Sequence, residues 1–358
     1  MTALIWISAL LDGAAALALL GRSRARWAAV AVALAAKIAV VVALDVQRFG
    51  LLHVVYLDLV VALPLVGLGL LLARRARRRL PVLVAGLALL ALAPVGVYAS
   101  LIEPKRLQTE RVEVPLAQAR SGGAELRVAV LADVQTAGVG DYERRAFRRA
   151  NDLRPHVVLI PGDLFQMGRE RFRRDLPELR RLVASLRAPG GVFVVDGDSD
   201  DPARLRAVLR GTGARLLVND VARTRVAGRD LTIGGVQVNW RTRAARRVYS
   251  RLEREPGRGD VRVVLAHRPD AVRELRRGTR VDLVVAGHTH GGQVVVPGFG
   301  PPITKTSLPR RMAAGGLHGL PGGRRVYVSR GVGMEHGSHA PHLRVLCPPE
   351  LTLLRLRG

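Results

Sequence analysis

Long uninterrupted hydrophobic runs dominate the first hundred residues of the chain. Four such stretches lie at about 3–21, 27–45, 51–73 and 80–100. Each is close to the roughly 20 apolar residues that a helix needs to cross the hydrocarbon of a bilayer. The first stretch follows no basic segment and precedes no clear cleavage site, so a removed signal peptide is not expected. We therefore predict four transmembrane helices within residues 1–100 and a linker over residues 101–125.

Arginine-rich loops predict the orientation of these helices. The sequences "GRSRAR" (21–26) and "ARRARRR" (73–79) follow the first and third stretches, whereas the loop after the second stretch has Arg48 as its basic residue. Because positive charge is retained on the cytoplasmic side of a membrane, both arginine-rich loops should face the cytoplasm. The pattern predicts a multi-pass protein of the cell membrane, with everything after about residue 100 on the extracytoplasmic side.

Three ionisable residues lie near the centres of the apolar stretches, where an unpaired charge is costly. They are Asp12, Lys37 and Asp58. The centres of membrane segments share one depth in the bilayer, so these side chains can meet inside a bundle. We predict that Lys37 pairs with at least one of the two aspartates. A structural ion-pair network and a path for protons or ligands are both consistent with this pattern.

Short apolar runs alternate with amphipathic, arginine-rich segments from about residue 126 onward. Helical periodicity is found over residues 141–153, 175–187, 202–210 and 243–254. The strand-like runs are "LRVAVLAD" (126–133), "HVVLIPGD" (156–163), "GVFVVDGD" (191–198), "VRVVLAH" (261–267) and "VDLVVAGH" (281–288). Such alternation is typical of an α/β domain with its sheet buried on both faces. We predict a domain of this class over residues 126–358.

Each of the five strand-like runs ends in a residue that can bind a metal. These residues are Asp133, Asp163, Asp198, His267 and His288. Functional sites of α/β folds gather at the carboxyl ends of strands. A single histidine at a strand end is more often a hydrogen-bonded core residue than a ligand. Five candidate ligands at five strand ends, however, predict a metal site.

The motifs "ADVQ", "PGDLFQ", "DGDSD", "LAHRPD" and "AGHTHGGQ" resemble those of the calcineurin-like metallophosphoesterases. The resemblance covers about residues 126–356, and "GHTHGGQVVVPGFGP", "YVSRGVG" and "CPPELTLL" are similar to membrane-tethered bacterial members. This resemblance implies an α/β/β/α double-sheet sandwich with two divalent metal ions. Mixed nitrogen and oxygen ligands favour Mn, Fe or Zn, and the family's reaction is attack on phosphorus by a metal-bound hydroxide.

The same resemblance assigns metal-binding roles to seven positions. They are Asp133, Gln135, Asp163, Asp198, His267, His288 and His290. Asp163 would bridge the two metals, so catalysis would depend on it. Asp133 and His290 would bind the first metal, and His267 and His288 would bind the second.

Three positions depart from the family pattern. Gln135 stands where a metal-binding histidine is usual, and Asp198 replaces an asparagine ligand and adds a negative charge. Ser199 replaces a histidine that contacts the substrate and can protonate the leaving group, a transfer that serine cannot perform unaided near neutral pH. Two hypotheses follow. The protein hydrolyses phosphate esters or anhydrides, or it binds phosphorylated ligands on the same scaffold without catalysis.

The segment "GVGMEHGSHAPHLR" offers candidates for the missing acid. It contains His336, His339 and His342. These histidines either belong to a solvated surface loop, or one of them supplies the proton donor. His336 is our candidate for that donor. Arg330 is a candidate phosphate contact because its planar fork matches phosphate oxygens. The alternative for Arg330 is an ordinary surface arginine.

Net charge and cysteine content limit the partners and the kinds of site that the chain can have. Its formal net charge is +27, which reflects either a biased composition or a basic surface for anionic partners. We expect a phosphorylated substrate, with lipid-linked or headgroup phosphates as candidates, and contact with the bilayer. The membrane segments disfavour a nuclease-type enzyme, as does the lack of interleaved aromatic and basic residues for base stacking. The single cysteine, Cys347, excludes an intramolecular disulfide and a cysteine-cluster metal site.

Overall fold

The computed structural model describes most of the chain from residue 54 onward. The described residues are 7, 11, 12, 14, 28, 31–33, 35–37, 54–72, 79–116, 124–254, 261–275, 280–336 and 342–358. The chain divides into two compact units. One comprises Met1–Glu103 with Gly337–Leu343, and the other comprises Pro104–His336 with Arg344–Gly358.

Among the described residues of the first unit, two helices are long and apolar enough to cross a membrane. They are α1 (Val54–Leu72) and α2 (Leu80–Lys105), which coincide with the third and fourth predicted stretches. Gly67 and Gly86 let the two helices approach closely, because a Cβ at Gly67 would lie 2.6 Å from the Gly86 carbonyl oxygen. Most of the first two predicted stretches, 3–21 and 27–45, falls outside the described residues.

A buried lysine connects three segments of this unit. Lys37 Nζ lies 2.8 and 2.9 Å from the two carboxylate oxygens of Asp12 and also contacts Asp58. Its exposed fraction is 8%. The predicted pairing of Lys37 is therefore confirmed, and it involves both aspartates. Because the pairing joins residues 25 and 21 positions apart in the sequence, it links helices rather than turns of one helix.

The described residues of the second unit form two six-stranded sheets. Their strands are β1 (Gln108–Pro115), β2 (Leu126–Val130), β3 (Val157–Ile160), β4 (Val192–Val194), β5 (Ala214–Leu216), β6 (Asp220–Val226), β7 (Arg229–Val236), β8 (Val261–Ala266), β9 (Leu283–Ala286), β10 (Gly316–Gly319), β11 (Arg325–Val328) and β12 (Glu350–Arg357). The first sheet has the order β1-β12-β2-β3-β4-β5, and the second has the order β10-β11-β9-β8-β7-β6. Strands β2 to β5 are parallel, and so are β7, β8, β9 and β11.

Helices cover the outer face of each sheet. The helices of this unit are α3 (Asp141–Asp152), α4 (Arg169–Ala184), α5 (Pro202–Leu209), α6 (Arg243–Arg254) and the short α7 (Arg310–Ala313). Residues of α3, α4 and α5 share a core cluster with the first sheet, whereas residues of α6 share one with the second sheet. The unit is thus a four-layer α/β/β/α sandwich, the architecture that the resemblance implied.

The alternation of side chains along buried strands builds these layers. Val128 and Val130 of β2 pack with Val263 and Val285 of the other sheet in a central core, whereas Ala129 faces the helices over the first sheet. Because successive side chains of a strand point to opposite faces, a strand buried on both sides must be apolar throughout. This is why these strands read as continuous valine- and leucine-rich runs.

Two features differ from the sequence predictions. Alternation alone predicted one sheet, but β2, β3 and β4 lie in the first sheet, and β8 and β9 lie in the second. Part of the predicted linker, residues 101–125, forms strand β1, which pairs in parallel with β12 over its whole length. The sequence of β1, "QTERVEVP", is too polar to read as a buried strand, and it forms an edge whose burial pattern is mostly intermediate or exposed.

We predict that replacing Lys37 destabilises the first unit. Lys37→Met leaves Asp12 and Asp58 without their cation in an apolar bundle, so the melting temperature of the full chain in detergent should fall by more than about 5 °C. Lys37→Arg should retain most of the stability. Lys105→Met is the matched control, since Lys105 is exposed. An unchanged melting temperature in Lys37→Met would show that the pairing contributes nothing to stability.

Candidate metal centre

The carboxyl ends of strands from both sheets meet at one edge of the sandwich. There, two groups of three candidate ligands have atoms within 4.8 Å of one another. One group is Asp198, His267 and His288, and the other is Asp133, Asp163 and His267. Because His267 belongs to both groups, the five strand-end residues predicted from the sequence form one continuous cluster.

Hydrogen bonds to backbone carbonyls fix which nitrogen of each histidine faces this cluster. His267 Nδ1 donates to the Pro161 carbonyl at 2.9 Å, and His288 Nε2 donates to the Lys305 carbonyl at 3.0 Å. The opposite nitrogens, His267 Nε2 and His288 Nδ1, lie 3.2 Å apart. Asp198 Oδ2 lies 3.2 Å from the first and 2.8 Å from the second. Three electron-pair donors therefore face one another, which is an arrangement that a metal cation satisfies.

Two carboxylates and an amide form the other half of the cluster. Asp133 is fully buried, and its two oxygens accept the His288 N–H at 3.0 Å. Burial, with a further contribution from the charge of Asp163, raises the pKa of Asp133 to about 7. Gln135 Nε2 donates to Asp163 Oδ2 at 2.9 Å, and Gln135 Oε1 is buried without a hydrogen-bond partner. An orphaned amide oxygen beside crowded carboxylates fits a bound cation.

The carboxylates also act on His267. Burial by itself lowers the pKa of this histidine, but the carboxylates of Asp163, Asp198 and Asp133 outweigh burial and raise it to about 10. The cluster therefore attracts positive charge strongly. Divalent cations meet that demand, and they leave both imidazoles neutral, as metal ligation requires.

A buried arginine contacts the remaining predicted histidine. Arg344 is fully buried, and its Nη1 donates to the carbonyls of His290 at 3.2 Å and Cys347 at 3.1 Å. Its Nη2 lies 3.4 Å from His290 Nδ1. Burial, followed by the charge of Arg344, holds the pKa of His290 well below its usual range, so the ring is neutral. Sequence reasoning missed Arg344, although an arginine inside the apolar run "HLRVLC" was a signal.

Five of the predicted ligands have a left-handed backbone. Their φ angles are 48° at Asp133, 40° at Gln135, 54° at Asp163, 71° at His288 and 48° at His290. Non-glycine residues adopt this region at a cost of about 1–3 kcal/mol each, and such strain concentrates at functional sites. Here the sharp turns aim side chains from different strands at one point.

Small residues and a buried carboxylate hold the loops that carry these ligands. A Cβ at Gly287 would overlap the Asp133 carboxylate, and one at Gly197 would overlap Asp163. Asp200 accepts N–H groups of both the Asp163 loop and the Asp198 loop at 3.0 Å. Asp200 was not singled out from the sequence, because an aspartate in "DSDD" reads as a solvated turn.

The structure gives Ser199 a backbone role in this centre. Its N–H donates to Asp163 Oδ1 at 2.7 Å and so orients the predicted bridging carboxylate. Its hydroxyl donates to the Phe165 carbonyl at 3.1 Å. The hydroxyl hydrogen is therefore engaged with the backbone rather than directed at a substrate.

The contacts of Arg330 do not support its predicted role as a phosphate contact, and the hydrogen bond of His336 to Gln166 is made by its backbone rather than by its ring. Arg330 Nε donates to Glu350 at 2.6 Å and its Nη2 donates to Glu110 at 2.6 Å, so both sides of the guanidinium are bound to carboxylates. The His336 N–H donates to Gln166 Oε1 at 2.6 Å, and burial lowers the pKa of its ring. His339 lies outside the described residues, and His342 belongs to the other unit.

Comparison with known proteins identifies the domain. Residues 126–292 match the model of the calcineurin-like phosphoesterase family, and this range carries the whole ligand set. The chain contains a calcineurin-like phosphoesterase domain. The match ends before the C-terminal segment with Arg330 and Arg344, but that segment belongs to the same compact unit as the phosphoesterase domain.

Relatives of the phosphoesterase domain are found in several bacteria. The chain is 29% identical over 213 residues to Phosphodiesterase YaeI of Escherichia coli K12, covering 57% of this chain and 72% of that protein. It is 26% identical over 282 residues to an uncharacterized metallophosphoesterase of Helicobacter pylori J99, covering 75% and 68%.

Solved structures also match the phosphoesterase domain. A 5'-nucleotidase precursor from Thermus thermophilus matches with a TM-score of 0.40 and 17% identity, covering 65% of this chain and 54% of that one. The NAD nucleotidase of Haemophilus influenzae matches with a TM-score of 0.40 and 14% identity, covering 59% and 45%. The chain spans about half the length of these two structures.

We predict that Asp163 holds the phosphoesterase domain's metals together. Asp163→Ala removes the carboxylate that contacts both halves of the cluster, so metal content of the purified full chain, measured by inductively coupled plasma mass spectrometry, should fall close to zero. His288→Ala should lose mainly one ion. His318→Ala, a histidine of β10 bonded to the Gly315 carbonyl, is the control and should keep the wild-type content. Wild-type metal content in Asp163→Ala would refute the bridging assignment.

Proposed function

We propose that this protein is a membrane-anchored phosphoesterase that hydrolyses phosphate esters or anhydrides with two divalent cations. The observation that carries the proposal is the convergence of three carboxylates and two oriented imidazoles at the carboxyl edge of both sheets. The family match over residues 126–292 supports the same chemistry. YaeI, a relative by sequence, is named a phosphodiesterase.

Each half of the cluster supplies one cation site in this proposal. Asp133, Gln135 and His290 would hold the first ion, and Asp198, His267 and His288 the second, with Asp163 between them. Nitrogen and oxygen donors of this kind suit Mn, Fe or Zn. When bound, such a pair supplies charge neutralisation for phosphate oxygens and a water that ionises near neutral pH.

The chain's own residues prepare the site for phosphate. The Ser199 N–H and the Gln135 amide hold the two oxygens of Asp163 in fixed directions. The Ser199 hydroxyl donates to the Phe165 carbonyl, so this position does not supply an acid to the departing oxygen. We therefore propose that the enzyme favours substrates whose leaving groups carry negative charge well, such as aryl esters and anhydrides.

Binding without catalysis is the second candidate function. Two departures from the family pattern favour it. Gln135 ligates a metal more weakly than an imidazole does, and Ser199 cannot replace a histidine as an acid. Under this hypothesis the protein captures a phosphorylated ligand and releases it unchanged.

Turnover by leaving group separates the two candidates. With Mn²⁺, the full chain in detergent should hydrolyse bis(4-nitrophenyl) phosphate, and its rates across a series of aryl and alkyl esters should fall steeply with leaving-group pKa. Ser199→His should flatten that dependence and raise alkyl rates by about tenfold or more. Ser199→Ala is the control and should behave as wild type. No turnover of any ester, together with phosphate binding, would favour the non-catalytic hypothesis.

The membrane segments bear on the substrate. Helices α1 and α2 are long and apolar enough to cross a bilayer, and the arginine-rich loops favour an extracytoplasmic phosphoesterase domain. We propose that the substrate is exposed outside the cytoplasm, with lipid-linked or headgroup phosphates as candidates. Anchoring at the membrane would concentrate the enzyme at that surface.

Reporter fusions test this orientation. A reporter that works only outside the cytoplasm should be active when fused after Gly358 and inactive when fused near Arg77, and a cytoplasmic reporter should show the reverse. A cytoplasmic reporter active after Gly358 would overturn both the orientation and an extracytoplasmic substrate.

A further inference from the structure

A cavity of about 700 Å³ lies directly beside the metal centre. Two of its lining residues also contact the predicted ligands. The Lys305 carbonyl accepts from His288 Nε2 at 3.0 Å, and Arg268 Nε donates to Asp198 Oδ2 at 3.1 Å. A molecule that fills this cavity therefore contacts residues that are bonded directly to the predicted ligands.

The walls of this cavity carry more basic than acidic charge. Its basic lining residues are Arg241, Arg268 and Lys305, and its acidic lining residue is Asp270. The Asp270 carboxylate is hydrogen-bonded to the cavity wall. It accepts the Thr306 hydroxyl at 2.5 Å and the Ser307 N–H at 3.0 Å, and it also contacts the Ser307 hydroxyl. Those bonds hold the wall at residues 304–307 in place, and the Asp270 carboxylate also lies 4.0 Å from Arg273 Nε.

Arg241 is the available cation of this cavity. Arg268 is bound to Asp198, and Lys305 Nζ is bound to Glu335 at 2.6 Å. Arg241, by contrast, has no carboxylate partner among the described residues, and it is exposed. Its guanidinium lies over the ring of Trp240, 4.6 Å from the ring centroid, and Trp240 is itself only 7% exposed. A buried ring of this kind positions the guanidinium before any ligand arrives.

We propose that this cavity binds a second anionic group, a phosphate carried by the leaving group of the substrate, and that Arg241 recognises it. The inference rests on the proposed phosphoesterase function and narrows its substrate class to diphosphates and to diesters with a phosphorylated leaving group. A planar fork suits phosphate oxygens. A cavity of this volume also has room for a leaving group larger than phosphate alone.

The position of Ser199 is consistent with this substrate class. Ser199 follows Asp198, which Arg268 contacts at the mouth of the cavity. When the bond that breaks is a phosphoanhydride, the group that departs is a phosphate. A departing phosphate held by Arg241 needs less protonation than a departing alcohol. The missing acid and the basic cavity therefore favour the same substrates.

Binding of two small phosphonates tests the inference on the full chain in detergent with Mn²⁺. Methylphosphonate carries one anionic group, and methylenebisphosphonate carries two. By calorimetry, Arg241→Gln should weaken methylenebisphosphonate binding by about tenfold and leave methylphosphonate binding unchanged. Arg225→Gln is the matched control. Arg225 is an exposed arginine, 3.7 Å from Asp230, at the other end of the β6–β7 hairpin from residues 237–241.

The outcomes separate this inference from the proposed function. A tenfold loss in Arg241→Gln but not in Arg225→Gln, at equal melting temperature, supports an anion subsite at Arg241. Equal affinities of the two variants for methylenebisphosphonate overturn it. Turnover of bis(4-nitrophenyl) phosphate, whose leaving group has no second phosphate, should be unchanged in Arg241→Gln. That assay reports on the proposed function alone, whichever way the binding measurement falls.

Discussion

Repulsion between Asp133, Asp163 and Asp198 is the constraint on which the rest of the site depends. The fold brings these carboxylates together around His267, with Asp133 and Asp163 almost completely buried. Buried like charges at such distances are stable only with protons or cations between them. Burial first, and then the charge of Asp163, raises the pKa of Asp133, and the three carboxylates raise the pKa of His267. Divalent cations would meet this need for positive charge and leave the carboxylates ionised.

The geometry of the sandwich keeps these carboxylates close together. Parallel strands of two sheets end at a common edge, and the ligands follow in turns whose left-handed φ angles aim the side chains inward. Glycine at 287 leaves the space that the Asp133 carboxylate occupies. Buried Arg344 donates to the His290 carbonyl, and burial followed by the Arg344 charge lowers the pKa of the His290 ring. The hydrophobic cores reach up to these turns, since Ala132, Leu164 and Ala266 are core residues adjacent to ligands.

Local patterns in the sequence predicted much of this arrangement. Continuous apolar runs predicted five of the strands, and the residues that end those runs cluster as candidate ligands, because the end of a buried strand is where the chain reaches the sheet edge. Assignment of strands to two sheets could not be read from alternation, since strands of either sheet are equally apolar. The double sheet came from the resemblance alone.

Contacts between residues that are distant in the sequence explain which roles could not be predicted. Arg330 seemed suited to phosphate, but its guanidinium is bound to Glu350 and Glu110, which lie 20 and 220 residues away in the chain. The arginines that contact predicted ligands are instead Arg268, bound to Asp198, and Arg344, bound to the His290 carbonyl. Arg241 likewise gains its significance only from a cavity formed by segments around residues 240, 268 and 305. Among the many arginines of this chain, sequence cannot distinguish those whose partners are set by the fold.

The central claim is that the repulsion among these carboxylates is relieved by two metal ions bridged by Asp163. Anomalous X-ray scattering at the manganese edge, from crystals of the full chain grown with Mn²⁺, tests it most directly. We predict two peaks, one on each side of the Asp163 carboxylate, with the stronger beside Asp198, His267 and His288, because Gln135 weakens the other site. Absence of a peak between these residues, or a peak elsewhere in the domain, would contradict the account.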